Sequence, residues 1–92
     1  MDNGKVSLFK EIIKNNKLRI LRICRAYTRE EEDQKDLFQD VMLNIWKSLP
    51  SYSRRSGIDT WVYRVCLNVC MQYAMKAGKA DKIRPVIDGI YF

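Results

Sequence analysis

Apolar residues recur along this chain at helical spacing in three stretches, with polar, turn-forming segments between them. Val6, Phe9, Ile13, Ile20, Cys24 and Tyr27 form the first stripe, widened by Ile12, Leu21 and Ile23, and predict a helix over residues 6–27. Asn15 and Asn16 interrupt it with two weak helix formers, so a bend or break is expected there. Residues 28–35 are polar and acidic and read as a connection. Asp33 is the expected N-cap of the second helix, and Asp36 suits the positive end of its dipole. Leu37, Val41, Ile45 and Leu49 line its apolar side, widened by Phe38, Met42 and Trp46. The helix should run to about Ser48, where Pro50 stops it.

Residues 50–57 have loop composition. Ser56 followed by Asp59 resembles a capping box, which starts the third helix near Gly57 or Ile58. Ile58, Val62, Val65, Val69 and Tyr73 are its expected buried side, with Trp61 and Cys66 beside them, and Gly78 is a natural stop. No segment sustains the alternation of a strand. The fold class is therefore all-α, a compact bundle of three main helices.

Ninety-two residues make one domain. A chain of this size buries roughly 60–65% of its unfolded surface, enough for one small core but not a deep catalytic cavity. Cys24, Cys66 and Cys70 are an odd number with no Cys-x-x-Cys pair, and the chain has no histidine. Buried free thiols in a reducing cytosol are the expected reading rather than a zinc site. There is no His-based triad and no Gly-rich phosphate loop, so neither enzyme activity nor a cofactor is expected. No signal peptide and no apolar run near the ~20 residues of a membrane span are visible, which points to a cytoplasmic protein.

The net charge is +6, unevenly spread: residues 1–45 balance at +1 and residues 46–92 at +5, while residues 30–40 carry six acids and one lysine. An acidic stretch between basic ones suggests two kinds of partner. On the third helix, spacing by four puts Thr60, Arg64, Asn68 and Gln72 in one outward row. Amide side chains can read a base edge, and a guanidinium can hold a phosphate or stack on a base. The preceding loop adds Tyr52, Ser53, Arg54, Arg55 and Ser56, and Trp61 and Tyr63 sit where loop meets helix. Together they suit a melted nucleic-acid strand, although a Trp such as Trp61 is more often core than a stacking platform and the arginines are equally ordinary loop charge. On the second helix Asp36, Gln39, Asp40, Asn44 and Lys47 form an exposed edge fit for a protein partner. By itself that edge is equally a solvated face.

At these residues the chain resembles region 2 of an extracytoplasmic-function (ECF) RNA polymerase sigma factor. Asp36-Leu37-Phe38-Gln39-Asp40-Val41, with Ile45-Trp46 beyond, is similar to that family's Asp-Leu-x-Gln-Glu/Asp-Val helix. Leu49-Pro50-Ser51-Tyr52 resembles its helix exit, and Thr60-Trp61-Val62-Tyr63-Arg64-Val65, closing at Asn68, resembles its Thr-Trp-Leu-Tyr-Arg-Ile-x-x-Asn helix. The resemblance implies a transcription-initiation domain without chemistry of its own. Asp36, Gln39, Asp40, Asn44 and Lys47 would meet the clamp helices of the β′ subunit of core RNA polymerase. Tyr52, Ser53, Arg54, Arg55, Ser56, Thr60, Trp61, Arg64 and Asn68 would recognise and melt the promoter minus-ten element and hold its non-template single strand. An anti-sigma factor is a further expected partner.

The resemblance covers about residues 5–77 and makes residues 1–78 one region 2-like domain, with 79–92 the start of a linker. The family's C-terminal helix-turn-helix region has no counterpart in these residues, so the chain reads as an excised or truncated region 2. It departs from the family where a basic helix end is usual: Cys70, Met71, Tyr73 and Met75 intervene before Lys76. Two other readings of the same pattern are a small helical protein-interaction module without a nucleic-acid role and a basic peripheral membrane domain. The second is weakened because the apolar stripes are needed for the core.

Overall fold

A computed structural model describes residues 3–52 and 57–76. Helix α1 spans Asn3–Tyr27, α2 spans Glu31–Ser48, a single 3-10 turn covers Leu49–Ser51, and α3 spans Ile58–Lys76. No strand occurs among the described residues. Each helix packs on both of the others, so three apolar faces close on one core.

The first helix is unbroken, contrary to the bend expected at Asn15-Asn16. Asn15 is exposed, but Asn16 is only 2% exposed and belongs to the core line. Its Nδ2 donates to the Ile12 carbonyl oxygen at 3.0 Å and to Asp59 Oδ1 at 3.1 Å. Both donors are thereby satisfied inside the protein, which removes the usual cost of burying an amide. The weak propensity of Asn, well under 1 kcal/mol, is overridden by that pairing and by the burial of the turns on either side. The core side of α1 is accordingly Ile12, Asn16, Ile20, Ile23, Cys24 and Tyr27. Val6, expected on this side, is 40% exposed, and Phe9 and Ile13 are half-buried. Thr28 Oγ1 donates to the Cys24 carbonyl at 2.8 Å and satisfies one of the carbonyls that the helix end leaves open.

The second helix begins at Glu31, before the expected cap Asp33. Glu30 occupies the N-cap in extended conformation without a side-chain cap, and Gln34 N–H donates to its carbonyl at 3.0 Å. Glu31, Glu32 and Asp33 crowd the first turn, where negative charge is favoured by the helix dipole. The predicted stripe holds: Leu37, Val41, Ile45 and Leu49 are all buried. Pro50 sits inside the 3-10 turn that ends the helix. Trp46 is flanked by the start of α1: Lys5 Nζ lies 4.0 Å from its ring centroid, and Phe9 meets it edge-on at 5.2 Å.

The third helix starts at Ile58 as expected, with the Gly57 carbonyl accepting from Trp61 N–H at 3.0 Å. Ser56 lies outside the described residues, and Asp59 is engaged with Asn16 instead. The buried face is Val62, Cys66, Cys70 and Ala74. Of the expected line Ile58, Val62, Val65, Val69 and Tyr73, Val62 is buried and the other four are half-buried at its edge. Three of the four core positions carry small side chains, which let two partner helices approach closely. Cys24, Cys66 and Cys70 are 0% exposed and free of disulfide bonds. The Cys24 thiol, together with burial, pushes the Cys66 thiol up to about 12. Cys70 is raised by the Cys24 and Cys66 thiols and by burial. Cys24, stabilised as a thiolate by the other two, lies below them. No group of Cys, Asp or Glu among the described residues is arranged to hold a metal ion.

Two outcomes follow from this core. Asn16→Ala should cost about 1–3 kcal/mol in urea unfolding, and the double variant with Asp59→Ala should lose less than the sum of the single changes. Fully additive losses would show that the Asn16–Asp59 bond contributes nothing. A thiol reagent at pH 8 should leave the folded protein almost unlabelled and modify all three cysteines once it is unfolded in urea.

Candidate functional site

Burying the Val62–Cys66–Cys70–Ala74 line turns the opposite side of α3 outward. Thr60, Arg64, Asn68 and Gln72 are all exposed, as the spacing predicts. Tyr52, at the exit of the 3-10 turn, is fixed by its N–H donating to the Leu49 carbonyl at 3.1 Å. Its ring lies 5.2 Å from that of Trp61 at a tilt of 48°. Both residues are half-buried. Trp61 is therefore neither pure core nor a free platform: one side packs, and its aromatic partner comes from the loop. Ser53, Arg54, Arg55 and Ser56 lie outside the described residues.

Tyr63 stands beside this row, and the Arg19 guanidinium sits 4.6 Å over its ring. Arg19, by its charge an ordinary solubilising residue of α1, thus helps fix the flank of α3. The other candidate surface is equally open. Asp36, Gln39, Asp40, Asn44 and Lys47 are all exposed on α2, and Asn44 Nδ2 donates to the Asp40 carbonyl at 2.8 Å, which holds its amide against its own helix.

The two rows meet only at Gln72. A groove of about 500 Å³ runs between α2 and α3. Asp40, Leu43, Asn44 and Lys47 form one bank, and Val69, Gln72, Tyr73 and Lys76 the other. Gln72, the last member of the α3 row, faces the acidic edge of α2 across it. Leu43, 49% exposed, and Tyr73 give the groove an apolar floor that charge reading alone missed. Leu43 was legible as an apolar residue three positions after Asp40 and off the buried stripe. Burial, together with the Asp33 carboxylate, raises the Tyr73 hydroxyl above its ordinary value.

Charge is placed differently from the sequence expectation. The basic excess of residues 46–92 falls mainly on positions outside the described residues, and α3 itself carries only Arg64 and Lys76 against Asp59. Among the described helices α1 is the strongly basic one and α2 the acidic one.

The sequence has counterparts among known proteins. Residues 12–80 match the Sigma-70 region 2 family, which is three quarters of the chain. The chain belongs to the sigma-70 region 2 family. It is similar to the ECF RNA polymerase sigma factor SigM of Mycobacterium tuberculosis, 26% identical over 80 residues that make up 87% of this chain and 40% of SigM. It is also similar to the ECF RNA polymerase sigma factor SigG of the same organism, 31% identical over 71 residues, 77% of this chain and 18% of SigG. The chain thus spans less than half the length of these relatives. No solved structure matches it. Sigma factors as a family are transcription regulators rather than enzymes and bind core RNA polymerase and promoter DNA. No described helix is long and apolar enough to cross a membrane.

The Tyr52–Trp61 pair yields a direct check. In a Trp46→Phe background, Tyr52→Ala should shift Trp61 emission to longer wavelength and raise its quenching by acrylamide. Unchanged emission would mean that the Tyr52 ring does not cover Trp61.

Proposed function

We propose that this region 2 domain grips core RNA polymerase through the exposed edge of α2 and holds the melted minus-ten non-template strand on α3 and the loop before it. The observation that carries this reading is that both rows stay exposed while the apolar stripes of the same helices fill the core. Residues that the fold does not need are left available for binding.

On the α2 edge, Asp36 and Asp40 supply charge, and Gln39 and Asn44 supply amides. Leu43 adds apolar contact between them. Such a mixed strip suits the side of a helical partner, in keeping with the β′ clamp helices implied by the family. On the other surface, Arg64 is positioned to take a phosphate and Asn68 a base edge. The Tyr52–Trp61 pair offers ring surface to a base that leaves the stack. Stacking contributes about 1–3 kcal/mol per base, while extruding a base costs a few kcal/mol. The balance is close, so melting depends on the polymerase grip to hold the domain against the promoter. Ser53, Arg54, Arg55 and Ser56, in the loop between α2 and α3, belong to the same proposed strand-holding surface.

Pull-down with core RNA polymerase tests the first half, with a β′ clamp-helix fragment as competitor. Asp40→Arg should weaken capture at least tenfold and leave the melting temperature unchanged, because Asp40 is exposed. Wild-type capture by that variant would reject the α2 edge. Arg64→Ala and Asn68→Ala should each lower retention of a promoter non-template strand in the assembled polymerase. Equal retention would remove the DNA role from α3 and leave a protein-interaction module.

A further inference from the structure

The largest concentration of charge in the described structure lies on neither proposed surface. Helix α1 carries seven basic residues and one acid, Glu11. Two of the seven are occupied at its flanks, Lys5 over Trp46 and Arg19 over Tyr63. The other five are Lys10, Lys14, Lys17, Arg22 and Arg25, and all are exposed. At 100° per residue Lys14, Arg22 and Arg25 face away from the Ile12–Asn16–Ile20–Tyr27 core line, while Lys10 and Lys17 lie on its flank, next to Cys24. Leu18, 77% exposed, lies at the centre of the outward side. None of the five is held by a hydrogen bond or ion pair to another described residue. Because α1 is continuous through Asn16, Lys10 to Arg25 lie on one helix and span about 22 Å at 1.5 Å per residue.

We infer that this ridge is a binding surface for the phosphate backbone of double-stranded DNA, contacted without regard to sequence. A B-DNA strand offers a phosphate about every 3.4 Å along the axis, so roughly six lie within reach of the five cations. The exposed side of α1 presents no aromatic ring, which separates it from surfaces that hold single strands by stacking. A membrane surface is a poorer fit: interfacial helices need a broad apolar face, and that of α1 is already spent on the core, leaving Leu18 among charges. α3, with Arg64 and Lys76 alone, has too few cations to supply such contacts. The ridge therefore complements the strand-holding row: α1 anchors duplex while α3 holds the opened strand. The inference rests on the proposed DNA role only for which DNA is met in the cell.

The test uses the full chain and a fluorescent 30-base-pair duplex of arbitrary sequence, titrated by anisotropy from 50 to 300 mM KCl. The triple variant Lys10→Gln, Lys14→Gln, Lys17→Gln keeps good helix formers at all three sites, and circular dichroism checks its fold. Its plot of log affinity against log salt should be shallower by nearly 3, at about 0.9 per lost phosphate contact, and its affinity at 50 mM at least tenfold lower. Lys35→Gln, on α2, should behave as wild type. An unchanged slope in the triple variant overturns the inference, as does a wild type that fails to bind duplex at 50 mM salt. Loss of binding to phosphatidylserine vesicles with duplex affinity intact would assign the ridge to membranes instead. Capture of core polymerase is scored separately: a chain that binds duplex with the expected slope but captures no polymerase sinks the earlier proposal and leaves this one standing.

Discussion

The constraint from which the rest follows is the small-residue seam of α3. Cys66, Cys70 and Ala74, with Val62, are the side chains that α3 buries in the core it shares with α1 and α2. Their size sets how near the helix axes come, and close packing leaves no room to rotate α3 about its own axis. The rotation is what puts Thr60, Arg64 and Asn68 in solvent. A turn of one residue, 100°, would draw part of this row inward and expose the thiols. The Asn16–Asp59 bond ties α1 to α3 in the same rotation. The core thus contains a polar contact that helps fix the orientation of the binding face.

Around this core the three helices divide the electrostatic labour. The first is basic, the second acidic in its first turn and along its open edge, and the third nearly neutral with mixed amide, hydroxyl and guanidinium groups. Neutrality suits a surface meant to read or hold bases, where hydrogen-bond geometry discriminates and bulk charge does not. Dense positive charge suits a surface meant to attract any phosphate. Three surfaces with different chemistry on one small body explain why so little of the chain is left as plain solvated face. They also explain exposed apolar residues such as Leu43 and Leu18, which sit within charged or amide rows instead of in the core.

How legible this was depended on the helix. The stripe of α2, Leu37–Val41–Ile45–Leu49, appears in the core unchanged, because polar residues bound it on both sides and only one face can be buried. The exposed members of both candidate rows were legible for the same reason: they are what such stripes leave over. In α1 the polar Asn16 was read as a fault in the helix. Its two partners are a carbonyl one turn back and a carboxylate 43 residues away, and the second cannot be foreseen from local pattern. In α3 apolar residues nearly encircle the helix, so two stripes compete, and the valine line was preferred to the cysteine line.

The periodicity of the chain by itself determined that there are three helices, where they lie, that they are all needed for one core, and which short motifs tie the chain to sigma-70 region 2. These are properties of spacing and side-chain type, which act within a few turns. The tertiary structure decided which line of α3 is buried, that Asn16 is a core residue, that the α2 edge meets Gln72 and Tyr73 of α3 across a groove, and that five of the cations of α1 stay exposed. Each of these depends on which side chains from distant segments arrive together, and that is settled only when three faces must fill the same volume.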